Sequence, residues 1–164
     1  MENNILHQLL SPENALRKRA EETLMTQRDQ NPHVLLNLLI EGIKAEEFQI
    51  AQLSAVLYKK LFLDDARSES LSQADLTIMK DSIMNTISFA QNISLLKRKG
   101  DILSKIFAKL KQSEELLKLL VNWASSEVTN GRLLAMYLFE VVSDCHLTPE
   151  QISAYKDSFM TVFA

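Results

Sequence analysis

Glycine and proline are scarce in this chain, with three of each in 164 residues, and there is one cysteine. So few helix breakers, set beside an abundance of Leu, Lys, Glu, Ala and Ser, predict an almost entirely helical protein with short connections. The lone Cys145 excludes an intramolecular disulfide and points to a reducing compartment. No apolar run approaches the roughly twenty residues that span a bilayer. The opening MENNILHQLL lacks the basic region and apolar core of a secretory signal. An excess of positive charge is missing too: 18 Lys and Arg stand against 21 Asp and Glu, which is not the footprint of a general nucleic-acid binder. There is no glycine-rich phosphate loop, no nucleophile elbow and no acid pair with an identifiable base. His7, His33 and His146 lie far apart, and none shares a helical face with another or with Cys145. The sequence therefore reads as a soluble, intracellular, non-enzymatic protein without metal or cofactor.

Apolar residues make up 46% and charged residues 24%, an ordinary globular balance. The most informative stretch is Gln49 to Leu63, QIAQLSAVLYKKLFL. Ile50, Leu53, Leu57 and Leu61 recur at three- and four-residue steps, and Ala51, Ala55, Val56, Tyr58 and Phe62 widen that stripe. A helix apolar over so wide an arc needs neighbours on at least two sides.

Helices are predicted over about Asn3–Leu10, Pro12–Arg28, Asn31–Lys44, Glu46–Leu63, Ser72–Phe89, Asn92–Leu110, Ser113–Ser125, Arg132–Ser143 and Pro149–Phe163. Each proline follows a capping residue, in Ser11-Pro12, Asn31-Pro32 and Thr148-Pro149, so each marks a helix start. Thr148 with Gln151 completes a capping box. Gly42 fits a terminating turn, whereas Gly100 falls inside a helical pattern and implies a close packing contact. The second helix is expected to bury Ala15, Leu16, Ala20, Thr23 and Leu24. Helix 132–143 is expected to be buried nearly all round, and Met79, Met84, Met136 and Met160 are expected to fill core. The polar segment Asp64–Gln73 is the longest connection, with room for a turn of helix.

The helices alternate between a moderately amphipathic one and a longer, more broadly apolar one. Superposing the second helices aligns Arg17, Ala51, Leu96 and Arg132, with spacings of 34, 45 and 36 residues. That irregular period fits HEAT-type repeats better than the strict 34 of tetratricopeptide repeats. The predicted architecture is an all-α, right-handed α-α superhelix of about four helix pairs, with repeats near 1–30, 31–64, 72–111 and 113–146 and the start of a fifth at 148–164. Repeats of this kind bury their faces only against neighbours and offer an extended surface to macromolecules.

Ser11–Leu24 (SPENALRKRAEETL), Asn31–Ile43 (NPHVLLNLLIEGI) and Ala51–Phe62 (AQLSAVLYKKLF) resemble the N-terminus of the importin-β (karyopherin-β) nuclear transport receptors, and within them the importin-5 type. Leu96–Leu103 (LKRKGDIL) and Asn130–Val142 (NGRLLAMYLFEVV) fall where that family has its third and fourth inner helices. The family commonly carries an arginine at the place of Ala51 and a basic residue at that of Leu96, and here the sequence departs from it. The resemblance implies a fragment of a longer shuttling receptor that moves between cytoplasm and nucleus. It implies binding of the small GTPase Ran in its GTP form, import cargo proteins and, through the full-length receptor, nucleoporins. Position by position, the Ran contacts it implies are Arg17, Glu21, Gln52, Lys59, Lys97, Arg98 and Arg132. A generic HEAT scaffold without Ran binding is the alternative of the same fold. The clusters Arg17-Lys18-Arg19 and Lys97-Arg98-Lys99 spread over about 200 degrees of helix, with acids nearby and no interleaved aromatics, which argues against nucleic acid as the partner.

Overall fold

The computed structural model describes residues 3–64, 71–145 and 147–163, and all regular structure among them is helical. In chain order the helices are α1 (Asn3–Leu9), α2 (Asn14–Gln30), α3 (Pro32–Ile43), α4 (Phe48–Phe62), α5 (Gln73–Met84), α6 (Ile93–Leu110), α7 (Ser113–Ala124), α8 (Thr129–Cys145) and α9 (Pro149–Phe163). They divide into two compact units, Met1–Glu69 with α1–α4 and Ser70–Ala164 with α5–α9. Most of the segment 64–73 lies outside the described residues, as do His146 and the side chains of Cys145, Phe159, Val162 and Phe163.

In the first unit α3 packs along α4, and α1 touches α2, α3 and α4. Leu6, Leu24, Leu35, Leu39, Ile43, Ala51, Tyr58 and Leu61 form its core. The breadth of the apolar arc on α4 is thus met by α1 on one side and α3 on the other. Its centre is Ile50, Ser54, Tyr58 and Leu61, while Leu53 and Leu57 are half-buried and Val56 is exposed. Gly42 lies in the last turn of α3 as expected, its carbonyl accepting from the Ala45 N–H where the helix ends at Ile43. It is buried inside α3, and a side chain there would run into Ser54 of α4 and come within 2.9 Å of Leu6 Cδ1. Absence of a side chain lets the two helices approach.

In the second unit α5 packs on α6, α6 and α7 both pack on α8, and α9 lies on α7. Met79, Ile83, Leu96, Ile102, Leu103, Ile106, Leu117, Leu120, Leu134 and Leu138 are fully enclosed. Gly100 meets the expectation of a close contact: a Cβ at this position would lie 2.7 Å from Leu138 Cδ2 on α8.

Three capping signals hold. Ser72 accepts from the Asp75 N–H in a capping box, Asn92 accepts from the Ser94 N–H, and Thr148 exchanges bonds with Gln151. Other boundaries move for reasons outside the local pattern. α2 begins at Asn14 rather than Pro12, because the Ser11 and Pro12 carbonyls accept from the Arg17 guanidinium instead of from helical N–H groups. α5 stops at Met84 rather than Phe89, and the Thr86 carbonyl accepts from Lys99. α8 starts three residues before Arg132, at Thr129.

Several residues expected in the core face solvent. In α2 only Ala20 and Leu24 are buried, while Ala15, Leu16 and Thr23 are exposed, because α2 lies on α1 with a lesser contact to α3. Met136 and Met160 are exposed as well. Helix α8 is covered by α6 and α7 but open elsewhere in its unit, so Leu133 remains 45% and Met136 52% accessible.

Gly42→Ala is expected to lower stability by about 1–3 kcal/mol through overpacking against the short, enclosed Ser54 side chain. That loss opposes a gain of up to about 1 kcal/mol in helix propensity. Urea unfolding followed by circular dichroism checks the sign, and a stabilised variant contradicts the close approach.

Candidate protein-binding faces

The second helices α2, α4, α6 and α8 share one register. The N–H of Arg17 donates to the Glu13 carbonyl, that of Ala51 to Glu47, that of Leu96 to Asn92 and that of Arg132 to Val128. The four residues aligned from the sequence thus occupy the same place, three residues after the first residue of the helix. Ala51 and Leu96 are completely buried there, whereas the two arginines are half-buried.

Both arginines perform the same local task. Arg17 Nη1 donates to the carbonyls of Ser11 at 2.8 Å and Pro12 at 3.1 Å, and Nη2 donates to Asn14 Oδ1 at 3.1 Å. Arg132 Nη1 donates to the carbonyls of Ser126 at 2.8 Å and Glu127 at 3.0 Å, and Nη2 to Thr129 Oγ1 at 3.3 Å. In each loop a serine hydroxyl accepts an N–H two residues on, Ser11 from Glu13 and Ser126 from Val128. The planar guanidinium suits this task, since its fork reaches several acceptors at once. The sequence carried the signal as a serine six residues before an arginine. In α4 and α6, where Ala51 and Leu96 replace the arginine, alanines 45 and 90 replace the serine. The arginine that gathers the loop carbonyls and the serine hydroxyl that accepts the loop N–H are present or absent together.

Of the other residues the resemblance points to, Glu21 is exposed on α2, and Gln52 and Lys59 are half-buried on α4. In the second unit Lys97 and Arg98 are exposed on α6. The Lys97 ammonium lies 4.8 Å from the ring centroid of Tyr137 on α8, and the Tyr137 hydroxyl donates to Asp101 Oδ1 at 3.1 Å. Burial, and then the negative charge of Asp101, raise the Tyr137 phenol above its ordinary range. The structure therefore brings Lys97, Arg98, Asp101 and Tyr137 together across α6 and α8. Leu133 and Met136 add an exposed apolar pair on α8. Periodicity assigned those two to the core, since it registers apolar character and not how many sides neighbours fill.

Lys99 is the unexpected member of α6. It is completely buried, and its ammonium donates to the Thr86 carbonyl at 2.7 Å and Gln91 Oε1 at 2.8 Å. Burial disfavours the charged form and lowers its pKa to about 8. No group of three or more His, Cys, Asp or Glu able to hold a metal occurs among the described residues. No described helix is long and apolar enough to cross a membrane.

No protein-family model matches the sequence, and no curated protein matches it. Among solved structures, the crystal structure of importin beta in an ammonium sulfate condition superposes with a TM-score of 0.76 and 21% identity over 98% of this chain. The chain spans about a fifth of that structure's length, 20%. A likeness of this kind establishes the fold: an all-α, HEAT-like solenoid of the importin-β type.

Arg17→Ala and Arg132→Ala are each expected to cost about 1–3 kcal/mol, the usual range for hydrogen bonds from a charged donor. Urea unfolding reads that loss, and unchanged stability in both variants contradicts the clamp. For Lys99 the unfolded chain binds the extra proton between pH 8 and 10.5, so stability attributable to this residue rises as pH rises through that window. Between pH 7.5 and 9.5 the wild type should gain on the order of 2 kcal/mol relative to Lys99→Met, read as the difference in urea unfolding free energies at the two pH values.

Proposed function

We propose that the chain is a segment of a nuclear transport receptor, non-enzymatic, that binds Ran in its GTP form through the faces of α2, α4, α6 and α8. In this reading residues 1–30, 31–64, 72–111 and 113–146 are successive repeats, and 148–164 opens a fifth. The parent receptor shuttles between cytoplasm and nucleus with import cargo and meets nucleoporins along the rest of its length. The observation that supports the reading most is the likeness to importin beta over 98% of the chain, reinforced by the common register of the four second helices. Arg17, Glu21, Gln52, Lys59, Lys97, Arg98 and Arg132 are the proposed contacts. For Arg17 and Arg132 this contact is secondary to the loop clamp described above. Lys97 and Arg98 are the better anchors, because both are exposed and the Tyr137 ring restrains Lys97 at little entropic cost. A charged partner of this type is recognised through many modest polar contacts that set association rate and specificity.

Binding to immobilised Ran loaded with GTP or GDP tests the proposal. The GTP form should bind more tightly, and Lys97→Glu with Arg98→Glu should weaken it about tenfold with a reduced salt dependence. Equal affinity for the two nucleotide forms removes the transport reading and leaves a HEAT scaffold of another assembly.

A further inference from the structure

Between α5 and α6 the backbone from Asn85 to Asn92 touches three other parts of the second unit. From α6, Lys99 donates to the Thr86 carbonyl at 2.7 Å and to Gln91 Oε1 at 2.8 Å. From the start of α8, Asn130 Nδ2 donates to the carbonyls of Phe89 and Gln91, both at 3.1 Å. From α7, Trp123 meets the Phe89 ring edge-on, with centroids 5.9 Å apart and planes at 85°. A loop of this length is ordinarily a passive surface connection. Here its carbonyls accept from two helices of different pairs, and its aromatic side chain is seated on a third.

The geometry of α6 and α8 gives that arrangement leverage. Their tight approach is at Gly100, where a Cβ would lie 2.7 Å from Leu138 Cδ2, and the Tyr137–Asp101 bond lies beside it. Further packing runs along both helices, but a restraint placed away from the closest approach acts on their relative rotation with the longer lever. Asn130 lies eight residues from Leu138, about 12 Å along the helix. A restraint at that distance resists rotation far better than one at the contact itself.

We infer that the α5–α6 loop is a clasp which sets the spacing of α6 and α8, with Lys99 and Asn130 as its anchors. Both are positioning residues for the face that carries Lys97, Arg98 and Arg132, and in that respect the inference rests on the function proposed above. The anchors stand next to the groups they position: Lys99 directly follows Arg98, and Asn130 comes two residues before Arg132. A core-filling role for Lys99 would be served equally by methionine, which has similar length and no donor. The clasp requires the donor.

Spin labels at Arg98→Cys and Leu133→Cys, in a Cys145→Ser background, report the α6–α8 distance by double electron–electron resonance without any partner present. The wild-type anchors should give one narrow distribution, and Lys99→Met and Asn130→Asp should each broaden it at least twofold while helicity by circular dichroism is retained. Asn130→Asp replaces a donor by an acceptor facing two carbonyls at a half-buried site, so it carries the test should Lys99→Met fail to fold. Distributions that superpose on the parent in the folded variants overturn the clasp. In unlabelled protein, both variants should lower affinity for the GTP form of Ran several-fold. Retained affinity would overturn the positioning role. Loss of all GTPase binding in the parent chain would instead remove the function proposed above, and the distance measurement would still decide the clasp.

Discussion

Six residues past the start of each second helix is a position enclosed on every side, and the packing of each unit turns on what fills it. Ala20, Ser54 and Ala135 are small, so helix backbones can approach closely around them. In α6 the same position is Lys99, the largest departure from that pattern. A buried ammonium without acceptors would be prohibitively unfavourable. The loop ahead of α6 folds so that its carbonyl at Thr86 and the Gln91 side chain turn inward to meet it. That requirement explains why α5 ends at Met84 although apolar residues continue at Ile87 and Phe89. It also makes the Asn85–Asn92 segment a structural member rather than a slack connection.

The position three residues earlier divides the helices differently. Arg17 and Arg132 use their guanidinium groups to gather the carbonyls of the incoming loop, whereas Ala51 and Leu96 contribute their side chains to the core. One site can thus serve either as a polar clamp or as an apolar filler, and the serine three residues before the helix start changes with it. The exchange bears on the proposed partner contacts. An arginine that organises its own loop is held in place before any partner arrives, which lowers the entropy lost on contact. It also means that a deletion at Arg17 or Arg132 mixes a folding effect with a binding effect, unlike one at Lys97 or Arg98. Leu133 and Met136 widen the polar face of the second unit with an apolar patch of the kind that large interfaces cover.

Much of this was legible in the residues. Ser72, Asn92 and Thr148 announced helix starts because their side chains bond N–H groups only two or three residues away. The alignment of Arg17, Ala51, Leu96 and Arg132 came from periodicity alone and coincides with the shared hydrogen-bond register. Gly100 was legible as a close contact because a glycine inside a helix needs a reason. At Gly42 the terminating turn was legible but the close approach was not, since the atom that excludes a side chain there belongs to Ser54, on another helix. Leu16, Met136 and Leu133 were assigned to the core for the same kind of reason: apolar spacing shows which face prefers burial but carries no record of which neighbours exist.

By itself, the sequence determined that the chain is helical, where most helices begin, how they pair in length and character, and which family its segments resemble. These are consequences of backbone propensity, capping and apolar period, all of which act within a few residues. Only the tertiary structure decided that Lys99 would be buried, that Arg17 and Arg132 would hold their own loops, and that α8 would keep an open flank. Each of those depends on carbonyls and side chains brought near by packing from elsewhere in the chain. A local pattern can state what a residue requires; which atoms answer it is settled when the helices meet.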